Sequence, residues 1–293
     1  MIVLGTRGSQ LARAQTDLVS DLLRRSPFAP EVLVRVVQSD GDLRPGAVLE
    51  VPEVDGWFTS RLQMELAAGS IDAAVHSAKD LPTAAPDGLT VAAFLERADP
   101  RDAVVTAAGV PWRELPPGSR LGTSSPRRAV QIQALRPDLT FCRVRGNVPT
   151  RLALVDSGRV QGVVVALAGL QRLGLDGRAQ PLDPHLECTP AAGQGAIAVE
   201  ARAESRWREV LGAIDHSPTR LAVEGERRLL GLMGGGCQLA LGALAEPAGE
   251  RGWLVSAAFS TAGRGLRREA AELADLRAPG VLEQLAGRLR SPG

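Results

Sequence analysis

The chain has no tyrosine, and its nine other aromatics are five phenylalanines and four tryptophans in 293 residues, so the core has to be aliphatic. Lysine is nearly missing too: of 34 lysines and arginines only Lys79 is lysine. Three cysteines, Cys142, Cys188 and Cys237, are odd in number and far apart. They write neither a disulfide framework nor a CxxC metal site, which points to a reducing, cytoplasmic compartment. His76, His185 and His216 are scattered and give no metal pattern. No apolar run approaches the roughly 18 residues of a membrane span. The opening MIVLGTRGSQ enters a strand at once, without the basic-then-apolar plan of a signal peptide. A net charge of +1 gives no global attraction to nucleic acid or anionic membrane. The phosphate-loop pattern GxxxxGK[ST] is absent as well, which disfavours nucleotide phosphates as ligands.

What remains is a chain of short apolar runs alternating with helical periodicity, the pattern of α/β units. Its length suits two domains or three small ones. Residues 2–4 form a β-type run leading to Gly5-Thr6-Arg7-Gly8-Ser9. Ser9 can cap a helix with apolar Leu11, Ala14, Leu18, Leu22 and Leu23, and a second strand follows at 32–37. Arg7 and Ser9 thus stand at a helix N-terminus, where free N–H groups favour anions. A cap beside a surface arginine would read the same way.

The stretch IDAAVHSAKDLPT, residues 71–83, is the most informative. A buried strand ends near His76, and Ser77, Lys79 and Asp80 follow it. Ligands of open α/β sheets sit at carboxyl ends of strands, although a Lys–Asp surface pair closing the turn is an equal reading. A second unit from 103 onward repeats the arrangement with arginines. Thr123-Ser124-Ser125-Pro126-Arg127-Arg128 has the hydroxyl caps and early proline of a helix start. Arginines in a first helical turn oppose the helix dipole unless something negative lies there. A strand is expected over 141–145 and a helix from 149; the strand at 160–166 leads to Arg172. A cleft bearing Arg127, Arg128, Arg145, Arg151 and Arg172 suits a ligand with several carboxylates. The strand at 196–200 can return the chain to the first sheet. Helices are expected at 204–214 and 220–232, two strands near 239–245 and 253–259, and a final helix near 281–289. Gly234-Gly235-Gly236 precede Cys237. A lone cysteine is usually a small buried hydrophobe, but three glycines leave this one unshielded, and an exposed thiolate near arginines is a nucleophile.

Taken in order, Thr6-Arg7-Gly8-Ser9, Gly41-Asp42, His76-Ser77-Ala78-Lys79-Asp80-Leu81-Pro82, Asp99-Pro100-Arg101-Asp102, Gly122-Thr123-Ser124-Ser125, Arg127-Arg128, Arg145-Gly146-Asn147, Ala168-Gly169-Leu170, Gly193-Gln194-Gly195 and Gly236-Cys237-Gln238 resemble the hydroxymethylbilane synthase (porphobilinogen deaminase) family over nearly the whole chain. The resemblance implies two α/β lobes like type II periplasmic binding proteins, with the active site between them, and a small C-terminal α/β domain. The expected division is 1–97 with 194–214, then 98–193, then 215–293. It implies a transferase of tetrapyrrole biosynthesis that condenses four porphobilinogen molecules head to tail, with loss of ammonia, and releases linear hydroxymethylbilane. A dipyrromethane cofactor would be fixed by a thioether to Cys237. Lys79, Ser77, Thr123, Ser124, Ser125, Arg127, Arg128 and Gly146 would hold it. Arg7, Ser9, Gln15, Arg145, Arg151, Arg172 and Gln194 would hold substrate and the growing chain, and Asp80 would be catalytic. The family further implies a monomer with porphobilinogen as its only partner.

The chain departs from the family pattern at Val54-Asp55-Gly56-Trp57-Phe58, where Gly-Lys-Gly-Leu-Phe is usual and an acid replaces the cation. Pro126 and Leu239-Ala240 are milder departures. Two rivals explain less. A two-lobed binding module has no need of Cys237, and a Ser77–Lys79 hydrolase leaves the arginines without a purpose.

Overall fold

The computed structural model describes residues 1–38, 60–235, 239–260 and 265–291. The stretch 41–55, whose Gly, Pro and acid content reads as a loop, the departure around Asp55, and Cys237, expected to carry the cofactor, lie outside the described residues. The chain divides into two compact units, Met1–Ala98 with Ala196–Arg220 and Asp99–Gly195 with Leu221–Gly293.

In the first unit β1 (Ile2–Thr6) runs into α1 (Gln10–Arg25), and the Ser9 hydroxyl caps that helix by accepting from the Ala12 N–H. The apolar side of α1, Val19 and Leu23, packs on Ile2, Leu4, Ala73 and Val75 of the sheet. Then come β2 (Val32–Val36), α2 (Ser60–Ala67), β3 (Ala73–Ser77) and β4 (Leu89–Phe94). Gly5 is forced by space: a Cβ there would stand 2.3 Å from Ile71 Cδ1.

The second unit opens with β5 (Asp102–Thr106), followed by β6 (Arg120–Gly122), α3 (Pro126–Leu135), β7 (Thr140–Cys142), α4 (Val148–Asp156), β8 (Gly162–Ala166), α5 (Leu167–Arg172) and β9 (Ala179–Pro181). Its sheet has the order β7-β6-β8-β5-β9, parallel except for β5, which is antiparallel to both neighbours. The chain then returns with β10 (Ile197–Arg202), which inserts antiparallel between β3 and β4. The first sheet thereby reads β2-β1-β3-β10-β4. Both sheets follow one plan. Three parallel strands are followed by one antiparallel strand, and that strand is the first one the chain makes after crossing from the other unit. These are the two type II lobes that the resemblance implied, and the return strand lies in the first sheet as its sequence suggested.

After α6 (Arg208–Gly212) and α7 (Ser217–Leu232), an antiparallel sheet forms from β11 (Ala240–Pro247), β12 (Trp253–Ser260) and β13 (Arg267–Leu273), and α8 (Val281–Arg290) completes the chain. Leu229, Leu241, Val255, Leu282 and Leu285 form its core.

Four local expectations need correction. The strand expected to reach Arg145 stops at Cys142, because Val144 turns inward over Gly122, where a Cβ would meet it at 2.7 Å. The helix expected over 204–214 is confined to 208–212, since the Ser205 hydroxyl accepts from the Trp207 N–H and holds a turn before it. The helix expected from Arg220 begins at Ser217, where His216 Nδ1 accepts from the Thr219 N–H and Pro218 occupies the first turn. The third strand of the last sheet, β13, was not expected. Its charged sequence, RREAAEL, belongs to an edge whose side chains are mostly only partly buried.

Candidate active site

In the first unit β1 and β3 are adjacent and parallel, so Arg7 and Ser77 emerge at the same edge of the sheet. The α1 N-terminus begins there as well. Arg7, Ser9, Gln15, His76, Ser77 and Asp80 line a pocket of about 70 Å3, with Leu11, Ala12 and Val75 as its apolar part. Gln15 is buried and its Nε2 donates to Ser77 Oγ at 2.9 Å, which ties the helix to the strand end. Asp80 sits in a single tight turn, Ala78–Asp80, held by a hydrogen bond from the Ala78 N–H to the Ala196 carbonyl of the returning chain at 3.0 Å. The equal choice posed by the Lys79–Asp80 dipeptide is therefore split: Asp80 lines the pocket, and half-buried Lys79 is not among its lining residues.

Two pocket-side features were not expected as site residues. His76 is buried, and its Nε2 lies 3.2 Å from Oε2 of the equally buried Glu200 on β10. Gln63 of α2 donates to the other oxygen of Glu200 at 3.0 Å. The only sequence signal for Glu200 is a carboxylate inside an otherwise apolar strand, IAVEAR.

The second unit answers the question raised by its misplaced arginines. Arg127 and Arg128, in the first turn of α3, are 4% and 6% exposed, and Asp102 between them is 0% exposed. Arg127 Nη1 donates to Asp102 Oδ2 at 2.6 Å and to the Thr189 carbonyl at 2.7 Å. Arg128 Nε donates to Asp102 Oδ1 at 2.9 Å and its Nη1 to the Val164 carbonyl at 3.0 Å. Burial alone would raise the Asp102 pKa, but the two guanidiniums and their hydrogen bonds hold it well below the usual carboxylate range. Asp102 thus supplies negative charge from within the protein opposite these two arginines. Gln194, expected to hold substrate, is fully buried, and its Nε2 donates to Asp102 Oδ1 and to the Pro100 carbonyl. Cys188 is enclosed beside the same carboxylate. Burial first, and Asp102 second, push its thiol up to about 12, so it is no nucleophile at neutral pH.

Around this closed cluster lie the other expected residues, some buried and some accessible. Thr123 is buried, and its hydroxyl accepts from the Ser125 N–H. Ser124 Oγ donates to the Val144 carbonyl at 2.5 Å, and Ser125 caps α3. Gly146 has φ +99, a left-handed conformation natural to glycine, and leads into Asn147, which caps α4. Arg145 is exposed, and Arg151 Nε donates to the Gly146 carbonyl. Arg172 donates to the Gly195 carbonyl at 2.7 Å, and burial brings its pKa down to about 10. Among the described residues no cluster of His, Cys, Asp or Glu is placed to hold a metal ion, and no helix is long and apolar enough to cross a membrane.

Guanidinium, hydroxyl and amide groups collected at strand ends of type II lobes fit a small molecule bearing acid groups. The family model described as porphobilinogen deaminase, dipyromethane cofactor binding domain, matches residues 2–209. The chain is 44% identical over 250 residues to a porphobilinogen deaminase of Roseiflexus sp. (strain RS-1), covering 85% of this chain and 82% of that one. It is 46% identical over 244 residues to that of Desulforudis audaxviator (83% and 79%), and 48% identical over 248 residues to that of Mycobacterium tuberculosis H37Rv (84% and 79%). Among solved structures it is similar to a putative methionine-binding lipoprotein of Bacillus subtilis, at TM-score 0.46 and 12% identity over 74% of this chain and 91% of that one. The chain belongs to the porphobilinogen deaminase family, enzymes of the transferase class.

Proposed function

We propose that this chain is a hydroxymethylbilane synthase acting on porphobilinogen, a monomer whose three domains follow the division 1–97 with 194–214, 98–193 and 215–293. The observation that carries the reading is the family match over both lobes, with Asp80, Arg7, Ser9, Gln15 and Ser77 gathered in one pocket. The donor set present fits the dipyrromethane group, whose pyrroles carry acetate and propionate chains. When bound through Cys237, that group supplies the nucleophilic pyrrole carbon that primes chain growth. Arg7 and Ser9 present a guanidinium and a capped helix end to the carboxylates of substrate. Gln15 and Ser77 fix one wall of the pocket by their mutual hydrogen bond. Asp80 places a carboxylate where substrate loses ammonia and becomes cationic, so it stabilises positive charge as it develops. It also accepts and returns protons at the same position. Arg145 and Arg151 extend carboxylate recognition on the second unit, with Ser124 and Ser125 toward the cofactor acids. Arg127 and Arg128 act on that region through the position of the α3 N-terminus that they anchor, and Arg172 and Gln194 hold the segment before the return crossing.

The test is the intact mass of protein purified from a host that makes porphobilinogen. The expected mass exceeds the polypeptide by two linked pyrrole units, and Cys237→Ser returns the bare value. A wild-type mass that stays bare after incubation with porphobilinogen or preformed hydroxymethylbilane overturns the proposal in favour of a binding module.

A further inference from the structure

In sequence Cys237 lies between α7, which ends at Leu232, and β11, which begins at Ala240. Both flanking elements are hydrogen-bonded to one short segment of the second unit. Glu226 of α7 is fully buried; its Oε2 accepts from the Gly193 N–H at 2.7 Å, and its Oε1 from the Ala245 N–H of β11 at 2.8 Å. In β11 the Ala243 N–H donates to the Pro190 carbonyl at 2.8 Å. Gly242 permits this approach of backbone to backbone, since a Cβ there would stand 2.4 Å from the Thr189 carbonyl oxygen.

A further contact comes from Arg268, half-buried on β13. Its Nη2 donates to the Glu187 carbonyl at 2.7 Å. Its Nη1 donates to Gln131 Oε1 at 3.0 Å, to Thr189 Oγ1 at 3.2 Å and to the His185 carbonyl at 3.4 Å. Gln131 is buried in α3, one helical turn beyond Arg127, and its amide is fully engaged. Nε2 donates to the Thr189 and Arg127 carbonyls, and Oε1 accepts from the Thr189 N–H at 2.9 Å. A backbone N–H only donates, so Oε1 has to face it; the second lone pair there takes another donor, which Arg268 supplies. The Thr189 carbonyl also accepts from Arg127 Nη1. Contacts thus run without a break from β13 to the first turn of α3, which Ser125 caps. None of the Arg268 acceptors is a carboxylate, so the contact is not an ion pair. A planar fork engaged on both nitrogens fixes rotation as well as distance, which an apolar side chain or the point charge of lysine would not.

We infer that Arg268 is a positioning residue for the cofactor: it sets the orientation of α3 against the sheet that follows Cys237, so that the covalent anchor and the Ser124 and Ser125 hydroxyls are presented by one rigid body. The inference rests on the reading of Cys237, Ser124 and Ser125 given above. A group tied at one end and recognised through its acids elsewhere is sensitive to that orientation, because a misplacement of about 1 Å can cost on the order of a hundredfold.

Protein purified without porphobilinogen and then given preformed hydroxymethylbilane should gain the mass of two pyrrole units, at a rate that intact-mass spectra follow. Arg268→Gln should slow this gain about tenfold or more, and Arg268→Lys should restore only part of it. The control is Arg228→Gln, whose lost partners, Glu283 and the Arg277 and Ala278 carbonyls, all lie beyond β13. It should leave the rate unchanged, whatever its effect on urea unfolding. A second readout needs no pyrrole: the Arg128 and Ala129 N–H groups, which donate to Ser125, should exchange faster in Arg268→Gln and not in Arg228→Gln. If Arg268→Gln does not fold, Thr189→Val removes a single acceptor and should act in the same direction by a smaller factor. An unchanged rate in the folded variant, or a slowing that Arg228→Gln matches, overturns the inference. Should the wild type take up no pyrrole, the proposed function fails, while the exchange comparison still decides whether Arg268 holds α3.

Discussion

The two units treat the same pair of residue types in opposite ways. In the first, Arg7 and Asp80 reach a pocket at the end of parallel strands, both half-buried, with hydroxyl and amide groups beside them. In the second, Arg127, Arg128 and Asp102 are sealed inside, and the guanidinium groups bond to one carboxylate and two carbonyls. Arginine and aspartate at a strand end therefore do not by themselves make a ligand site. What separates the two sets in the structure is burial and the carboxylate enclosed between Arg127 and Arg128, against half-buried side chains lining a pocket. A buried pair of this kind is weak evidence of stability gained, but breaking it is costly because the survivors are left uncompensated.

The largest effect should come from the same isosteric change made at the two aspartates. Asp102→Asn strands two buried guanidiniums and is expected to cost about 3–5 kcal/mol of stability, read by urea unfolding at pH 7. A loss under about 1 kcal/mol would show that water or rearrangement reaches the cluster. The pH dependence sharpens this. The folded pKa of Asp102 lies below its unfolded value, so its contribution is complete above about pH 4 and is lost as pH falls further, in the wild type and not in Asp102→Asn. Cys188 runs the other way. Its folded pKa is raised to about 12 from 9.0, so its contribution is full below pH 9 and disappears as pH rises toward 12; Cys188→Ala should flatten that alkaline decline.

Asp80→Asn should leave the unfolding curve and the cofactor mass in place while turnover falls on the order of a hundredfold to a thousandfold, the scale of losing one group aimed at developing charge. Steady-state ammonia release measures it, and near-normal turnover would remove Asp80 from the chemistry. The smallest effect is expected at the helix caps. Ser9→Ala and Ser125→Ala each remove one N-terminal acceptor and should cost about 1 kcal/mol. The comparison predicts that only Ser9→Ala also raises KM, because Ser9 lines the pocket. Equal KM changes in both variants would erase the distinction drawn between the units.

Much of this was legible in the chain itself, because it depends on neighbours in sequence. Apolar periodicity placed α1, β3 and the return strand, and Ser9 and the hydroxyls before Pro126 announced their caps through residue type and position. The ordered motifs identified the family. Sequence also raised the right question at Arg127 and Arg128, since the helix dipole makes first-turn arginines demand an anion. Which anion was a matter of tertiary structure. Asp102 lies 25 residues before Arg127, and only the antiparallel placement of β5 beside β8 brings the strand bearing it next to the Val164 carbonyl that Arg128 also bonds. Glu200 and His76 meet across an even longer interval, when the chain comes back through its first sheet. Local pattern fixes what a residue can do, through its charge and its donors. Burial and long-range register decide whether that capacity is spent inside the protein or left for a ligand, because the worth of a charge depends on the water and the partners that folding leaves around it.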